Sequence, residues 1–310
     1  MYTIGIVSTK GGVGKTTLAA NLGAILADFG LRVLLIDTDP QASLSKYFAL
    51  RHQAELGLVD MINDAELSAL KVSDTVLPNL HIVLSNDSSG EIQQTLPQRI
   101  DRGARIKHAL FNPYVCDNYD VAIIDTQGAV GALQDAAVYA CNDLLSPISP
   151  DILSAREFQA GTLEMLERLD AGRAIGLIPG NMKALIYKMD QTKNAKAIAA
   201  EINQSFMAFN GKVRMLETMV RSAKAYTEAA TQRIPAHCHE VFSAAKSDSA
   251  YLTMHHLVWE LFPNFTGAYT RCFGNLSQSE VDAIAAKDSM NPNNQCDIVA
   301  NACAEAEHAV

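Results

Sequence analysis

"STKGGVGKTTLAANL", residues 8–22, carries two lysines five residues apart around a run of glycines. It follows the apolar run "YTIGIVS" at 2–8 and leads into "KTTLAANLGAILADFG", where Leu18, Leu22, Ile25, Leu26 and Phe29 recur at helical spacing before Gly30. The order is strand, glycine loop, helix. Such a loop turns backbone N–H groups toward the positive end of a helix, which suits a phosphate, and a lysine at its end reaches the terminal phosphates. Lys15 fills that role. In the usual Gly-x-x-x-x-Gly-Lys-Thr spacing the first glycine would fall on Thr9, so the loop is a variant, and Lys10 at its start needs a separate explanation.

Further along, "RVLLIDTDP" (32–40) is a continuous apolar run closed by two aspartates and a proline, the pattern of a central parallel strand buried on both faces. More strands are expected at 80–84, 119–125, 143–148, 183–189 and 212–217, with helical patterns between most of them. Strands alternating with helices predict an α/β fold, a doubly wound, mostly parallel sheet flanked by helices. Ligands of such sheets sit at the carboxyl ends of the strands, where the glycine loop and both aspartate clusters fall. Beyond about residue 240 the pattern weakens, although 252–262 and 277–287 still read as helices. The expected division is a nucleotide-binding domain over 1–240 and a helical carboxyl-terminal extension over 241–310.

The phosphate loop sets the roles around it. The N–H groups of Gly12 to Thr17 are expected to line phosphate oxygens, Lys15 to hold the β and γ phosphates, and the Thr16 hydroxyl to meet Mg²⁺. Asp125, closing the apolar run "VAIID", is placed to supply a second metal-side group through water. Asp37 and Asp39 lie two apart and would point the same way on an extended strand. If both flank the γ phosphate, one can assist the metal shell and the other position an attacking water, a role given to Asp39. The loop thus calls for ATP and Mg²⁺.

Bulk properties bound the rest. The 310 residues are 48% hydrophobic and 19% charged, with a formal net charge of −9, so any nucleic-acid contact must come from a local patch. From Lys183 to Arg233 there are nine cationic residues and four acidic ones, an asymmetry suited to a nonspecific duplex binder with an acidic body. Arg221 and Lys224 are the first candidates there, followed by Lys193 and Lys196. Six cysteines are scattered without a CxxC pair and no signal peptide precedes the first strand, so the chain is expected to be cytoplasmic with reduced thiols. No apolar run is long enough to span a membrane, and the acidic end offers no basic amphipathic anchor. "HCH" at 237–239 and "HH" at 255–256 do not make a zinc tetrad.

"KGGVGKTT", "VLLIDTDPQAS", "YDVAIIDTQG" and "PISPDILSAREF", in that order, resemble the deviant Walker A P-loop ATPases of the ParA/MinD group, most closely the ParA-type partition ATPases. The resemblance runs from about residue 2 to 240. It implies that Lys10 reaches across a nucleotide-sandwich homodimer to the partner's phosphates, while Gly11, Gly12, Val13, Gly14, Lys15, Thr16 and Thr17 of the loop bind the nucleotide of their own subunit. It matches Asp39 to the aspartate linked to hydrolysis and Asp125 to the Walker B aspartate. Pro150 and Asp151 match a stretch near the base, and "VRSAKAYTEA" from Val220 a segment running from the nucleotide toward a DNA-binding face. The function it implies is bacterial DNA partition on the nucleoid, with a ParB-like partner stimulating hydrolysis. The alternative is a MinD-like ATPase that positions a protein or membrane cargo. One departure stands out: the family's Asp-x-Pro-Pro after the Walker B strand is here Asp125, Thr126, Gln127, Gly128.

Overall fold

The computed structural model describes residues 1–128, 130–151, 158–190, 192–207, 213–243 and 248–290. Within them nine strands form: β1 (Tyr2–Ile6), β2 (Val33–Asp37), β3 (Leu50–His52), β4 (Ser73–Thr75), β5 (Leu80–Val83), β6 (Val121–Asp125), β7 (Asp143–Ile148), β8 (Asn181–Met189) and β9 (Val213–Arg221). They make one sheet in the order β3-β4-β5-β2-β6-β1-β7-β8-β9. Every pairing from β5 to β9 is parallel. All five residues of β2 and of β6 are buried, because helices cover both faces of the middle of the sheet, and this is why they read as unbroken apolar runs.

The expected strands recur with small shifts. β8 begins two residues earlier than its apolar run, and β9 extends to Arg221; Lys212 lies outside the described residues. The short strands β3, at the sheet edge, and β4 beside it, "LRH" and "SDT", have no counterpart in the sequence reading. They pair antiparallel, β3 with β4 and β4 with β5. Three-residue strands of mostly polar residues carry neither the apolar run nor the length that makes a strand legible.

Helix α1 (Lys15–Asp28) follows the glycine loop, and its Leu18, Leu22, Ile25 and Leu26 are no more than 1% exposed. Each such side chain contributes about 1.5–3 kcal/mol by leaving water. Gly23 lets the helix close on the sheet: a Cβ there would lie 2.6 Å from Leu35 Cδ2. Parallel pairing sets the level at which the strands end. Ile6 pairs with Asp125, and Asp125 with Asp37, so β1, β2 and β6 deliver the loop and two carboxylates to one rim.

Two compact units emerge, Met1–Thr266 and Gly267–Val310. The helix Ala250–Leu261 packs against α1 and β9 within the first unit. In the second, the helix Gln278–Ser289 opens on a capping box between Ser277 and Glu280, and Tyr269 donates to Asp288 at 2.8 Å. Among the described residues, no helix is long and apolar enough to cross a membrane.

His255, on the helix Ala250–Leu261, is buried, with Nδ1 2.7 Å from the Tyr251 carbonyl and its ring 4.1 Å from that of Tyr251. Burial pushes its pKa down to about 3; the Tyr251 carbonyl and Asp28 oppose this, while His237 and His256 add to it. The unfolded chain therefore takes up this proton near pH 6.5 while the folded chain does not, so stability falls as pH drops below about 6.5, by up to about 1.4 kcal/mol per unit. Urea midpoints at pH 7.0 and 5.5 should separate, and His255→Phe should narrow the gap. Equal gaps in the two proteins would reject His255 as the source.

Candidate nucleotide site

Residues 7–14 connect β1 to α1. Gly12 (φ 76°) and Gly14 (φ 98°) take left-handed conformations that other residues adopt only with strain. Gly14 has a second constraint, since a Cβ there would lie 2.3 Å from a ring carbon of Tyr187. Lys15 is 8% exposed, and its Nζ donates to the Lys10 carbonyl at 3.2 Å. Burial lowers its pKa, and Asp125 and Asp39 act against that shift. The backbone N–H of Lys10 donates to Ser8 Oγ at 3.2 Å.

Thr16 Oγ1 donates to Asp125 Oδ2 at 2.7 Å. The other oxygen, Asp125 Oδ1, is buried and has no hydrogen-bond partner among the described residues. Burial pushes this carboxyl up to about 8; Asp37 and Asp39 add to the rise, while the Thr16 hydrogen bond and Lys15 oppose it. A buried carboxylate with an unsatisfied oxygen, beside a threonine hydroxyl, is a hard oxygen set that fits Mg²⁺. Bound there, Mg²⁺ would place positive charge on the phosphoryl oxygens.

Asp37 ends β2 fully buried and is held by Ser45, whose backbone N–H and hydroxyl each donate to Oδ2 at 2.7 Å. Its pKa is raised by burial, against these hydrogen bonds. Because the strand stops at Asp37, the expected extended alternation does not reach Asp39. Instead the Asp39 N–H donates to Asp37 Oδ1 at 3.1 Å, and Asp39 Oδ1 accepts from the Gln41 N–H at 2.9 Å. Both carboxylates still act electrostatically on Asp125, so the structure brings Lys15, Thr16, Asp37, Asp39 and Asp125 together.

The segment in place of the double proline is also defined. Gln127 is 9% exposed and accepts from Gln93 Nε2 at 3.0 Å. A Cβ on Gly128 would stand 3.2 Å from the Gly11 nitrogen, so this glycine permits close approach to the phosphate loop. Pro150 and Asp151 follow β7 on the same rim, half-buried, and the Asp151 N–H donates to the Ser149 carbonyl at 2.8 Å. Ser45, Gln93, Tyr187 and Lys188 are site neighbours that sequence reasoning missed. Only Ser45 had a local signal, being close to "IDTDP".

The cationic segment divides. Lys183 forms an ion pair with Asp143 at the amino end of β8, and Lys188 donates to the Gly12 carbonyl. Lys193 and Lys196 are exposed on the first turn of the helix Lys193–Met207, which follows β8. Half-buried Arg221 ends β9, and exposed Lys224 begins the helix Lys224–Gln232. Since β8 and β9 run parallel, with Met189 opposite Arg221, these four residues share the carboxyl rim with the phosphate loop. Elsewhere, Asp28, His237 and Cys238 bring ligand atoms within 4.8 Å of one another, and His237 Nε2 lies 3.2 Å from Asp28 Oδ2. Cys141 is buried and Cys116 exposed.

A glycine-rich strand-to-helix loop at the carboxyl rim of a mostly parallel sheet, beside the Asp125 carboxylate, defines a P-loop nucleotide-binding fold. Residues 1–170 match an AAA domain, and the chain belongs to that family, as a P-loop ATPase of ParA/MinD type. It is 30% identical over 205 residues to the chromosome-partitioning ATPase Soj of Treponema pallidum, covering 66% of this chain and 78% of that one. With the sporulation initiation inhibitor Soj of Bacillus subtilis it shares 35% identity over 147 residues, 47% of this chain and 57% of the relative. A putative replication protein A of Rhizobium rhizogenes is 32% identical over 186 residues, covering 55% and 46%. The chain spans about half the length of several curated relatives that it matches. Among solved structures, Cyanothece McdA superposes with a TM-score of 0.64 at 24% identity, covering 76% of this chain and 92% of McdA. The Pyrococcus furiosus cell division ATPase MinD gives 0.61 at 20%, covering 85% and 99%. Both likenesses concern the fold.

Proposed function

We propose that this protein is a DNA partition ATPase. In this reading two ATP-bound subunits close face to face, and the closed dimer holds duplex DNA without sequence preference. Hydrolysis, stimulated by a ParB-like centromere-binding protein, then releases it on the nucleoid. Lys15 and the loop N–H groups hold the phosphates, and Thr16, Asp37 and Asp125 hold Mg²⁺, directly or through water. Asp39 orients the water that attacks the γ-phosphorus, with ADP leaving, and Lys10 of the opposing subunit meets the charge that develops.

The observation that supports the DNA step is the sharing of one rim by the phosphate loop and by Lys193, Lys196, Arg221 and Lys224. Charges at that position are coupled to whatever nucleotide and dimer interface the loop carries. The name of the chromosome-partitioning ATPase of Treponema pallidum supports the same reading, and so does that of a ParA family protein of a Chlamydia trachomatis virulence plasmid, 32% identical over 157 residues. The test is duplex binding with ATP, with ADP and without nucleotide at one fixed salt concentration, because phosphate contacts are salt-dependent. Binding only with ATP, equal for unrelated sequences, is the expected result. Failure to bind in every state would reject DNA as the cargo surface and direct the same assay to lipid vesicles and protein cargo.

A further inference from the structure

Lys188 interrupts β8. The pairing of β8 with β9 shifts between Tyr187, opposite Val220, and Met189, opposite Arg221, so Lys188 is one residue too many on its strand. Its backbone is left-handed (φ 61°), a strained conformation for a lysine. The side chain crosses to the phosphate loop, 176 residues away in sequence, where Nζ donates to the Gly12 carbonyl at 2.9 Å. Its neighbour Tyr187 occupies the space that a Cβ on Gly14 would fill. Two consecutive residues of β8 thus bracket the loop at Gly12 and Gly14.

The consequence follows from the planarity of the peptide bond. The carbonyl of Gly12 and the N–H of Val13 belong to one trans peptide and point in opposite directions. A donor fixed on the carbonyl therefore fixes the direction of the N–H. The loop needs such a restraint, because Gly12 lacks the Cβ that limits rotation about its backbone bonds. Lys15 likewise holds the Lys10 carbonyl, so two loop carbonyls are each held by a lysine ammonium.

We propose that Lys188 is a positioning residue for the polyphosphate of the nucleotide: it holds the Gly12–Val13 peptide so that the Val13 N–H is presented to the phosphates. The inference rests on the nucleotide-binding reading of the loop and not on DNA binding. Its strained backbone is maintained by the bulge, and its charge is committed to the carbonyl.

Three variants separate the donor from the strain. Lys188→Met keeps most of the stem and removes the donor, Lys188→Arg keeps a donor, and Lys188→Gly removes both donor and strain. With Mg²⁺ present, titration of a fluorescent ADP analogue should show about tenfold weaker binding for Met and Gly, the size expected for losing one charge-assisted hydrogen bond. Arg should restore binding to within a few fold. Steady-state ATP hydrolysis should show the loss in KM, with kcat within about twofold, since the loop is engaged in both ground and transition states. Lys188→Gly should melt at or above the wild-type temperature while still binding weakly. A purely structural role would make affinity follow melting temperature across the three variants, and that pattern would overturn the proposal. Wild-type affinity in both Met and Gly would overturn it as well. Failure of the wild-type protein to bind the analogue would be a different result, removing the nucleotide reading beneath it.

Discussion

Lys10→Ala should still bind ATP and lose roughly 10³-fold in hydrolysis, the lower range of what a cation supplied to a transferring phosphoryl group contributes. Two loop hydrogen bonds use its backbone: the N–H donates to Ser8 Oγ, and the carbonyl accepts from Lys15. Alanine keeps both of these. Lys15→Ala makes the useful contrast, because it removes a buried ammonium next to Asp125 and Asp39 and should abolish binding itself. A mixing experiment then tests action across the interface. Lys10→Ala and Asp39→Ala should each be inactive alone. In their mixed dimer one site joins an intact Asp39 to an intact Lys10 from the other subunit, so equal mixing should recover about a quarter of wild-type activity through random two-fold pairing. ATP hydrolysis by the mixture staying at the level of the separate variants would exclude a trans role. Loss of ATP binding in Lys10→Ala alone would exclude it sooner.

Which of these features could be read before folding depends on how far their physics extends along the chain. The strand, loop and helix from Tyr2 to Asp28 are a local pattern, as are the buried runs that end in Asp37 and Asp125. Their burial on both faces writes apolar residues into consecutive positions. β3 and β4 left no such record, being three residues long and made mostly of polar residues. Asp37 and Asp39 show a subtler limit. Their spacing implied a shared strand face, but the side chain of Asp37 accepts the Asp39 N–H, and local hydrogen bonding turns the chain first. Lys183 and Lys188 counted equally in the charge sum, yet an ion pair claims one and a glycine carbonyl the other. Neither partner is near in sequence, so only the packed sheet identifies which lysines remain at the rim.

That sorting carries the second large effect. Arg221→Glu combined with Lys224→Glu should weaken duplex binding at least on the order of 100-fold at moderate salt, and should leave ATP binding intact. Two reversals withdraw two cations from the DNA phosphates and add two repulsions at the end of β9 and the start of the following helix. The dependence of log affinity on log salt should flatten by roughly 2, close to one unit for each phosphate that is no longer neutralised. Net charge changes by the same amount when Arg102 and Lys107, in the segment between β5 and β6, are both reversed, so that pair is the control. A local patch predicts near wild-type binding for the control. Equal losses in both pairs would mean that overall charge governs binding, and an unchanged affinity in the Arg221 and Lys224 pair would remove this rim from the DNA interface. Lys193→Glu with Lys196→Glu should fall between these extremes. Those two residues lie one turn apart on a helix whose positive end already favours phosphate, and that attraction persists after the side chains change.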